Sequence, residues 1–463
     1  MVVAPAAEVR DAGTRGAAGL LVPGAGPTVT REGARASLVR GRVRNAVLGG
    51  TVGGKPLITL ARKPGAITIY VALPPEGESH NVRRYPVAIV GPGYRGVLKS
   101  SATRLPGLVG IADLAPTAVA LARGREPIVT AEAADDPASD LRSLDRRLSA
   151  AHDARTAANV VLVAFIVLAA AVGLARRSAF AARAAVLAGP AAVTAALLLS
   201  ALGPTRSGLL AAGFAVAMPA LALVGAAARL VPVVVGFLVL YALVLALWPE
   251  TASLGVVGPH PDGGVRFYGV TNQVETLLLA PVILAIDRSR VWVAVAIGLL
   301  ALFTVGSSWT GADGGGVVVL TAAFAALAVL RSDLELSWRR AGVALAGAAA
   351  LALLVVGVDA AAGGTSHVTR AVGGGPGTLL DDLLDRLHLS AASVSVSWAS
   401  ALAVVAAVAG LIALARLRRR PRTLDAMLVA LVVSLLVNDS PVDVALYGAL
   451  GALSIVAYER ARD

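Results

Sequence analysis

The stretch "AANVVLVAFIVLAAAVGLA", residues 157–175, decides the class of this protein. It contains no charged residue. An α-helix rises about 1.5 Å per residue, so a run of this length approaches the ~30 Å thickness of the hydrocarbon core of a bilayer. The stretch therefore predicts a transmembrane helix.

The composition of the whole chain agrees with that prediction. Hydrophobic residues make up 57% of the chain and charged residues 15%, and the mean hydropathy of +0.76 lies well above that of soluble proteins. The chain has no cysteine, which excludes disulfides and thiolate metal sites. In a membrane protein the net charge of +12 bears first on topology, so we expect no nucleic-acid partner.

Further apolar runs follow the first one to the end of the chain. The fold predicted is an α-helical polytopic membrane protein of about eleven transmembrane helices, with an N-terminal α/β soluble domain. Some of the runs are short or are interrupted by Gly189-Pro190, Pro219 or Pro281. The predicted spans are 157–175, 184–203, 208–228, 230–248, 272–287, 291–308, 314–330, 341–358, 397–415, 424–438 and 441–457.

The arginines between these spans are distributed very unequally. Sixteen fall in turns on one side of the membrane and four, Arg206, Arg266, Arg370 and Arg386, on the other. Because basic residues are retained in cytoplasmic loops, this asymmetry predicts a cytoplasmic C-terminus in a plasma membrane protein. With an odd number of spans, the N-terminal domain lies outside the cell.

Residues 1–156 carry 21 Lys and Arg against 13 Asp and Glu, and they form a water-facing region large enough for one domain. The alternation in "PLITLARKPGAITIYVALPP" and "YPVAIVGPG" predicts buried strands, and "DLAPTAVALARG" predicts a helix with Asp113 as its N-cap. We assign 1–135 to this α/β domain, 136–156 to an amphipathic linker and 157–463 to the transmembrane domain. The linker is either an interfacial helix touching anionic lipid or a solvated helix packing on the membrane domain.

Residues 84–121, "RYPVAIVGPGYRGVLKSSATRLPGLVGIADLAPTAVAL", resemble the C-terminal part of the alkaline-phosphatase-like superfamily. That superfamily commonly has a strand ending in Pro-x-x-x-x-Gly-Pro-Gly, followed later by an Asp-x-x-Pro-Thr helix. The resemblance implies phosphate or sulfate ester chemistry at a two-metal centre. Such a centre needs several His and Asp ligands, but His80 is the one histidine before residue 125. We therefore expect a degenerate, partial pseudoenzyme domain with no metal and no cofactor.

The N-terminus, "MVVAPAAEVRDAGTRG", has no apolar segment that would export this domain. We expect either that the natural reading frame begins upstream with a signal anchor and the first half of the domain, or that one span is miscounted and the domain is cytoplasmic.

The polar stretch "PHPDGGVRFYGVTNQVETLLLAP", residues 259–281, is the first of three candidate sites on the side with few arginines. If a helix begins near Asn272, then Asn272 and Glu275 share one face and Glu275 lies about one turn inside the membrane. An acid there is costly unless it is paired or hydrated, and Arg266 is a candidate partner. His260, Asp262 and Tyr268 are further candidate binding residues.

Two other polar turns open on the same side. The turn "SSWTGADGGG", residues 307–316, contributes Asp313 and three glycines whose backbone N–H groups suit an anion, and "NDSPVD", residues 438–443, contributes Asn438 and Asp439. Each turn taken alone has ordinary turn residues. If the three turns meet, they form one shared site. The loop 359–396, which contains His367 and His388, is predicted to hold a helix lying on the membrane surface.

The segments "RFYGVTNQVETLLLAP" and "FTVGSSWTGADGGG" resemble the O-antigen ligase and polymerase group. The resemblance implies that Arg266 binds a polyprenyl diphosphate and that an outer-loop His or Glu assists the glycosyl acceptor, which makes Arg266 and Glu275 the catalytic candidates. The function expected is binding or processing of lipid-linked or anionic envelope material at the extracytoplasmic face, possible partners being membrane lipid, polyprenyl-linked glycan and other anionic polymers. The alternative is a transporter or flippase, or a non-enzymatic partner protein with a docking domain.

Overall fold

The computed structural model describes residues 1–25, 29–42, 56–58, 67–77, 84–263, 266–332, 357, 398–438 and 440–462. The predicted span 341–358, apart from residue 357, and the predicted loop 359–396 lie outside these residues. The chain divides into two compact units. The first unit comprises Met1–Ala154, Gly203–Leu210 and Pro259–Tyr268, and the second comprises Arg155–Leu202, Ala211–Gly258 and Gly269–Asp463.

A mixed sheet forms the centre of the first unit. Its strands are β1 (Val2–Val3), β2 (Ala17–Val22), β3 (Thr68–Val71), β4 (Tyr85–Val90), β5 (Gly96–Ser100), β6 (Leu108–Gly110) and β7 (Val129–Glu132). They are ordered β1-β3-β4-β2-β5-β7, and β6 pairs with β2. The pairs β1–β3, β2–β5 and β2–β6 are parallel, while β3–β4, β2–β4 and β5–β7 are antiparallel.

Helices cover both faces of this sheet. They are α1 (Ala6–Arg15), α2 (Arg31–Arg40) and α3 (Ile111–Ala122). Neighbouring strand residues point to opposite faces, so Ala88 packs with Val9 of α1 while Ile89 belongs to the core that includes Leu38 of α2 and Leu114 of α3. The first unit is therefore an α/β domain, as the alternating sequence pattern predicts.

The prediction that Asp113 is the N-cap of its helix is wrong by three residues. Helix α3 begins at Ile111 with Gly110 as N-cap, and Asp113 occupies the first turn. Its Oδ2 accepts hydrogen bonds from the Gly110 backbone N–H at 3.2 Å and from the Ser100 hydroxyl at 2.8 Å. Asp113 still accepts a hydrogen bond from a backbone N–H at the start of the helix, which is the capping role expected from the sequence. It does so from the first turn and not from the N-cap position.

No break separates the linker from the first span. Helix α4 runs without interruption from Pro137 to Arg176 and includes both. The apolar face of the predicted linker packs on the α/β domain: Leu144 and Leu148 are buried, and a side chain at Gly107 would collide with Leu141 and Leu144. Leu141 and Leu144 therefore contact the α/β domain, and the two roles predicted for the linker, contact with anionic lipid or packing on the membrane domain, stay predictions.

A buried arginine fastens the same helix to the sheet of the first unit. The Arg84 guanidinium pairs with Asp145 Oδ1 at 2.5 Å and donates to the Ser149 hydroxyl at 2.7 Å and to the Asp145 carbonyl at 3.2 Å. The Arg84 side chain is only 6% exposed. An arginine removed from water in this way needs such partners, because its charge is otherwise uncompensated.

The remaining helices belong largely to the second unit. They are α5 (Ala179–Leu202), α6 (Ser207–Ala227), α7 (Leu230–Leu247), α8 (Pro249–Ser253), α9 (Asn272–Asp287), α10 (Val291–Gly306), α11 (Gly314–Arg331), α12 (Trp398–Ala415), α13 (Arg422–Val437) and α14 (Pro441–Arg460). Ten of the eleven predicted spans thus coincide with a helix.

Six of the described helices, α4, α5, α6, α7, α11 and α14, are long and apolar enough to cross a membrane. Large apolar side chains such as Leu168, Val216 and Phe303 are exposed on the helices, as expected of surfaces that face lipid. The chain is a polytopic α-helical membrane protein, and the six helices are fewer than the eleven spans predicted. Helices α9, α10 and α13 have 16 residues each, about 24 Å of helix, which is short for a bilayer.

The prolines that interrupt the apolar runs do not break the helices. Pro190, Pro219 and Pro281 lie inside α5, α6 and α9. At Gly189-Pro190 the missing side chain has a packing role, since a Cβ on Gly189 would lie 2.7 Å from the Leu277 carbonyl oxygen of α9. Small residues allow this close approach of helix backbones in membranes.

Candidate functional site

Helix α9 begins at Asn272, as the sequence predicts. Thr271 is its N-cap, and the Thr271 hydroxyl accepts a hydrogen bond from the Val274 N–H. The polar stretch 259–281 is divided between the two units: Pro259–Tyr268 belongs to the first, and the residues from Gly269 onward belong to the second. Its candidate residues must therefore be treated as two groups.

Glu275 is fully buried in the first turn of α9, with 0% of its surface exposed. Its Oε2 accepts a hydrogen bond of 2.9 Å from the Asn438 side-chain amide, which also donates to the Ser434 hydroxyl at 2.8 Å. Asn438 is the C-cap of α13. The structure thus joins the first and third polar turns through a buried carboxylate–amide contact between two helices.

The second polar turn lies against the same amide. Asp313 is buried and is the N-cap of α11. A Cβ on Gly315 would collide with Asn438 Oδ1, and it would lie 3.6 Å from Asp313 Oδ1. The Val270 N–H donates to the Gly311 carbonyl at 2.9 Å, which ties the start of α9 to this turn. We call Glu275, Asp313, Gly315, Ser434 and Asn438 the carboxylate–amide site.

The side chain of Asn438 occupies the space beside the glycines that open α11. The sequence suggested that the free N–H groups of this helix start could hold an anion. With Asn438 Oδ1 against Gly315 and the carboxyl group of Asp313 alongside, the position already holds oxygen atoms of the protein itself. The protein's own oxygen atoms therefore take the place that an external anion would occupy at this helix start.

Sequence reasoning missed a second polar cluster beside Glu275. The Gln273 side-chain amide donates to the Asn159 Oδ1 at 3.0 Å and to the Tyr447 hydroxyl at 2.8 Å, and its oxygen accepts from the Gly258 N–H at 3.4 Å. These bonds connect helices α4, α9 and α14. Asn159, the one strongly polar side chain of the first apolar run, was the available signal, but nothing in the sequence indicates its partner.

The other sequence-predicted residues do not gather at this site. His260 and Arg266 form an isolated antiparallel bridge within the first unit, in which the His260 N–H donates to the Arg266 carbonyl at 3.1 Å. The Arg104 guanidinium lies 4.0 Å from the centre of the Tyr268 ring. Asn272 is half-buried at the start of α9, where its carbonyl accepts from the Thr276 hydroxyl. The structure does not describe Asp439 or the side chain of Asp262, and the pairing of Arg266 with Glu275 stays a prediction.

Ion pairs connect helices α9, α13 and α14 at the ends that lie away from the carboxylate–amide site. Arg422 of α13 pairs with Asp287 of α9 at 2.7 Å, and Arg288 pairs with Glu459 of α14. Arg331, the last residue of α11, donates to the Ile286 and Ser289 carbonyls at 3.0 and 3.1 Å. Helices α9, α11, α13 and α14 therefore share an arginine-rich end, and α9, α11 and α13 share the carboxylate–amide site, about 18 Å along α9 from Asp287.

The substitution Gly315→Ala tests the contact between the second and third turns. We expect it to displace the Asn438 side chain and to weaken its hydrogen bond to Glu275, lowering stability by about 1–2 kcal/mol. Thermal unfolding of the purified protein in detergent measures this. The control is Gly236→Ala in α7, where a Cβ meets open space and the substitution should be neutral or slightly stabilising. Equal effects of the two substitutions would contradict the contact.

Among the described residues no group of three or more His, Asp or Glu side chains is arranged to hold a metal ion. No protein-family model, no curated protein and no solved structure matches this chain. Both family resemblances therefore stay expectations from the sequence, and the function must be argued from the site.

Proposed function

We propose that this protein is a transporter of the cell envelope that moves lipid-linked or other anionic envelope material, with the carboxylate–amide site as the place where a proton or small cation is coupled to that movement. The observation that carries the proposal is the complete burial of Glu275 in a membrane helix, bonded to Asn438 of another helix. Ionisable residues inside membrane segments are costly, and they commonly mark ion or proton pathways.

Burial favours transport over glycosyl transfer by Glu275. A general acid or base must come within hydrogen-bond distance of its substrate. Glu275 has no exposed surface, so a polyprenyl-linked sugar cannot touch it without a rearrangement of the helices. A proton or a small cation needs far less space, and carboxylate and amide oxygens are suitable ligands for hard cations.

The proposal includes the orientation expected from the sequence. The arginine-rich helix ends would face the cytoplasm, and the carboxylate–amide site would face the outer leaflet. The contacts between helix ends support this arrangement, because each of them joins turns that the arginine distribution assigns to one side. We retain eleven spans and a plasma membrane location as part of the same proposal.

A second candidate function is glycan transfer at Arg266 in the first unit. The observation that favours it is the bridge between His260 and Arg266, which holds a candidate base and a candidate phosphate-binding residue opposite each other. Arginine binds phosphate groups through paired hydrogen bonds, as the recognition of a diphosphate requires.

The location of an accumulating precursor distinguishes the two functions. A deletion strain would be complemented with the wild type, Glu275→Ala or Arg266→Ala, and lipid-linked glycan in each leaflet would be labelled with a membrane-impermeant reagent. Loss of transport leaves the precursor in the inner leaflet, whereas loss of transfer leaves it in the outer leaflet. We expect inner-leaflet accumulation with Glu275→Ala. Outer-leaflet accumulation with Arg266→Ala alone would favour glycan transfer. Full complementation by both variants would show that neither Glu275 nor Arg266 is required for function.

A further inference from the structure

A short arginine-rich segment joins helices α12 and α13. We call residues 416–422, "RLRRRPR", the arginine turn; five of its seven residues are arginine. Helix α12 ends at Ala415 and α13 begins at Arg422. Both helices expose large apolar side chains, among them Leu402 and Ile412 of α12 and Val432 and Leu436 of α13. A turn between two such helices is expected at the surface of the membrane.

Two of the five arginines are committed to contacts within the protein. Arg420 donates to the Ala415 carbonyl at the end of α12 and pairs with Asp425 of α13 at 2.9 Å. Arg422 pairs with Asp287 at 2.7 Å. These contacts connect the turn to both of its helices and to α9, and they restrain the backbone of the turn.

The other three arginines face outward. Arg416, Arg418 and Arg419 are exposed, while Leu417 between them is half-buried. In the described part of the chain none of the three makes an ion pair with an Asp or Glu side chain. Three like charges within four residues repel one another, and a fixed turn cannot relieve the repulsion by spreading them apart. An external anion that pairs with these exposed guanidinium groups would offset this charge.

We infer that the arginine turn is a binding surface for the head groups of anionic phospholipids. Guanidinium groups bind phosphate oxygens through two parallel hydrogen bonds, and a cluster of basic residues next to a membrane helix is attracted to anionic lipid by about 1 kcal/mol per residue, roughly a fivefold change in affinity. The inference does not depend on the transport proposal.

A titration of the full-length protein in a neutral detergent tests this surface. The melting temperature would be followed while short-chain phosphatidylglycerol, short-chain phosphatidylcholine or glycerol 3-phosphate is added at constant ionic strength. We expect phosphatidylglycerol to raise the melting temperature of the wild type and the other two compounds to have little effect. The triple variant Arg416→Gln/Arg418→Gln/Arg419→Gln should bind phosphatidylglycerol more weakly by on the order of a hundredfold.

A matched control removes the same charge elsewhere. Arg10, Arg123 and Arg125 are exposed residues of the α/β domain, and their triple replacement by Gln should leave the phosphatidylglycerol response unchanged. If the first triple variant fails to fold, the single variants Arg418→Gln and Arg419→Gln should each weaken binding roughly fivefold. An unchanged response in the turn variants, or an equal response to phosphatidylcholine, would overturn the inference. An equal response to glycerol 3-phosphate would also overturn it, because the turn would then recognise phosphate without the lipid.

Discussion

Glu275→Gln is expected to leave the protein folded and to abolish its function. The glutamine side chain has nearly the same shape as glutamate, and its oxygen can still accept the hydrogen bond from Asn438. The variant cannot hold a charge, so it can neither take up a proton nor offset a cation. If Glu275 is the coupling residue, complementation of a deletion strain falls to the level of the empty vector while thermal unfolding stays close to that of the wild type.

Glu275→Ala and Asn438→Ala separate the structural role from the functional one. Each removes the hydrogen bond between α9 and α13, and Asn438→Ala also leaves the Glu275 carboxylate without the donated amide. We expect each to lower stability by about 1–3 kcal/mol. A Glu275→Gln variant that complements as well as the wild type would show that the carboxylate is a packing element without a role in coupling.

Arg84→Ala is expected to release the first five turns of α4 from the α/β domain. The substitution removes three hydrogen bonds, one of which is the ion pair with Asp145. Asp145 remains 46% exposed, so water can solvate its carboxylate after the change. We therefore expect a loss of about 2 kcal/mol, less than for a fully buried pair. Hydrogen exchange of residues 137–154 in the full-length protein should become faster.

The control for this prediction is Arg15→Ala. Arg15 pairs with Asp11 on the surface of α1, and both side chains are more than half exposed. Exposed pairs of this kind contribute little, so the variant should unfold and exchange like the wild type. Unchanged exchange of residues 137–154 in Arg84→Ala would mean that the leucine face alone holds the helix on the domain.

Much of the helical layout could be predicted because it depends on local sequence. Apolar runs mark the helices and charged residues mark their ends, so α9 begins at Asn272 and the runs containing Pro190 and Pro281 form helices. The prolines suggested breaks, but these helices continue through them. The leucine stripe of the linker was also visible, but an apolar face does not indicate whether it packs on lipid, on the membrane helices or on the α/β domain.

The carboxylate–amide site was only partly predictable. The polar residues stood out against the apolar runs, yet their partners lie up to 163 positions away in the chain, as Asn438 does from Glu275. Gln273 shows the same limit, because its bonds to Asn159 and Tyr447 depend on the packing of three helices. Residue spacing along one helix gives a shared face, but only tertiary packing decides which residues meet it.

The central claim is that the polar turns meet at one site, and its most direct test is a disulfide between Gly315→Cys of the second turn and Asn438→Cys of the third. A Cβ on Gly315 would lie 3.6 Å from the Asn438 Cγ, whose place the Sγ of a cysteine at 438 would take, so a small side-chain adjustment is enough to form the bond. The chain has no cysteine of its own, so any cross-link reports on the introduced pair. Mild oxidation of membranes should cross-link most of this double variant and none of the control pair Gly236→Cys/Asn438→Cys. Absence of the cross-link in a folded Gly315→Cys/Asn438→Cys protein would contradict the proposed site.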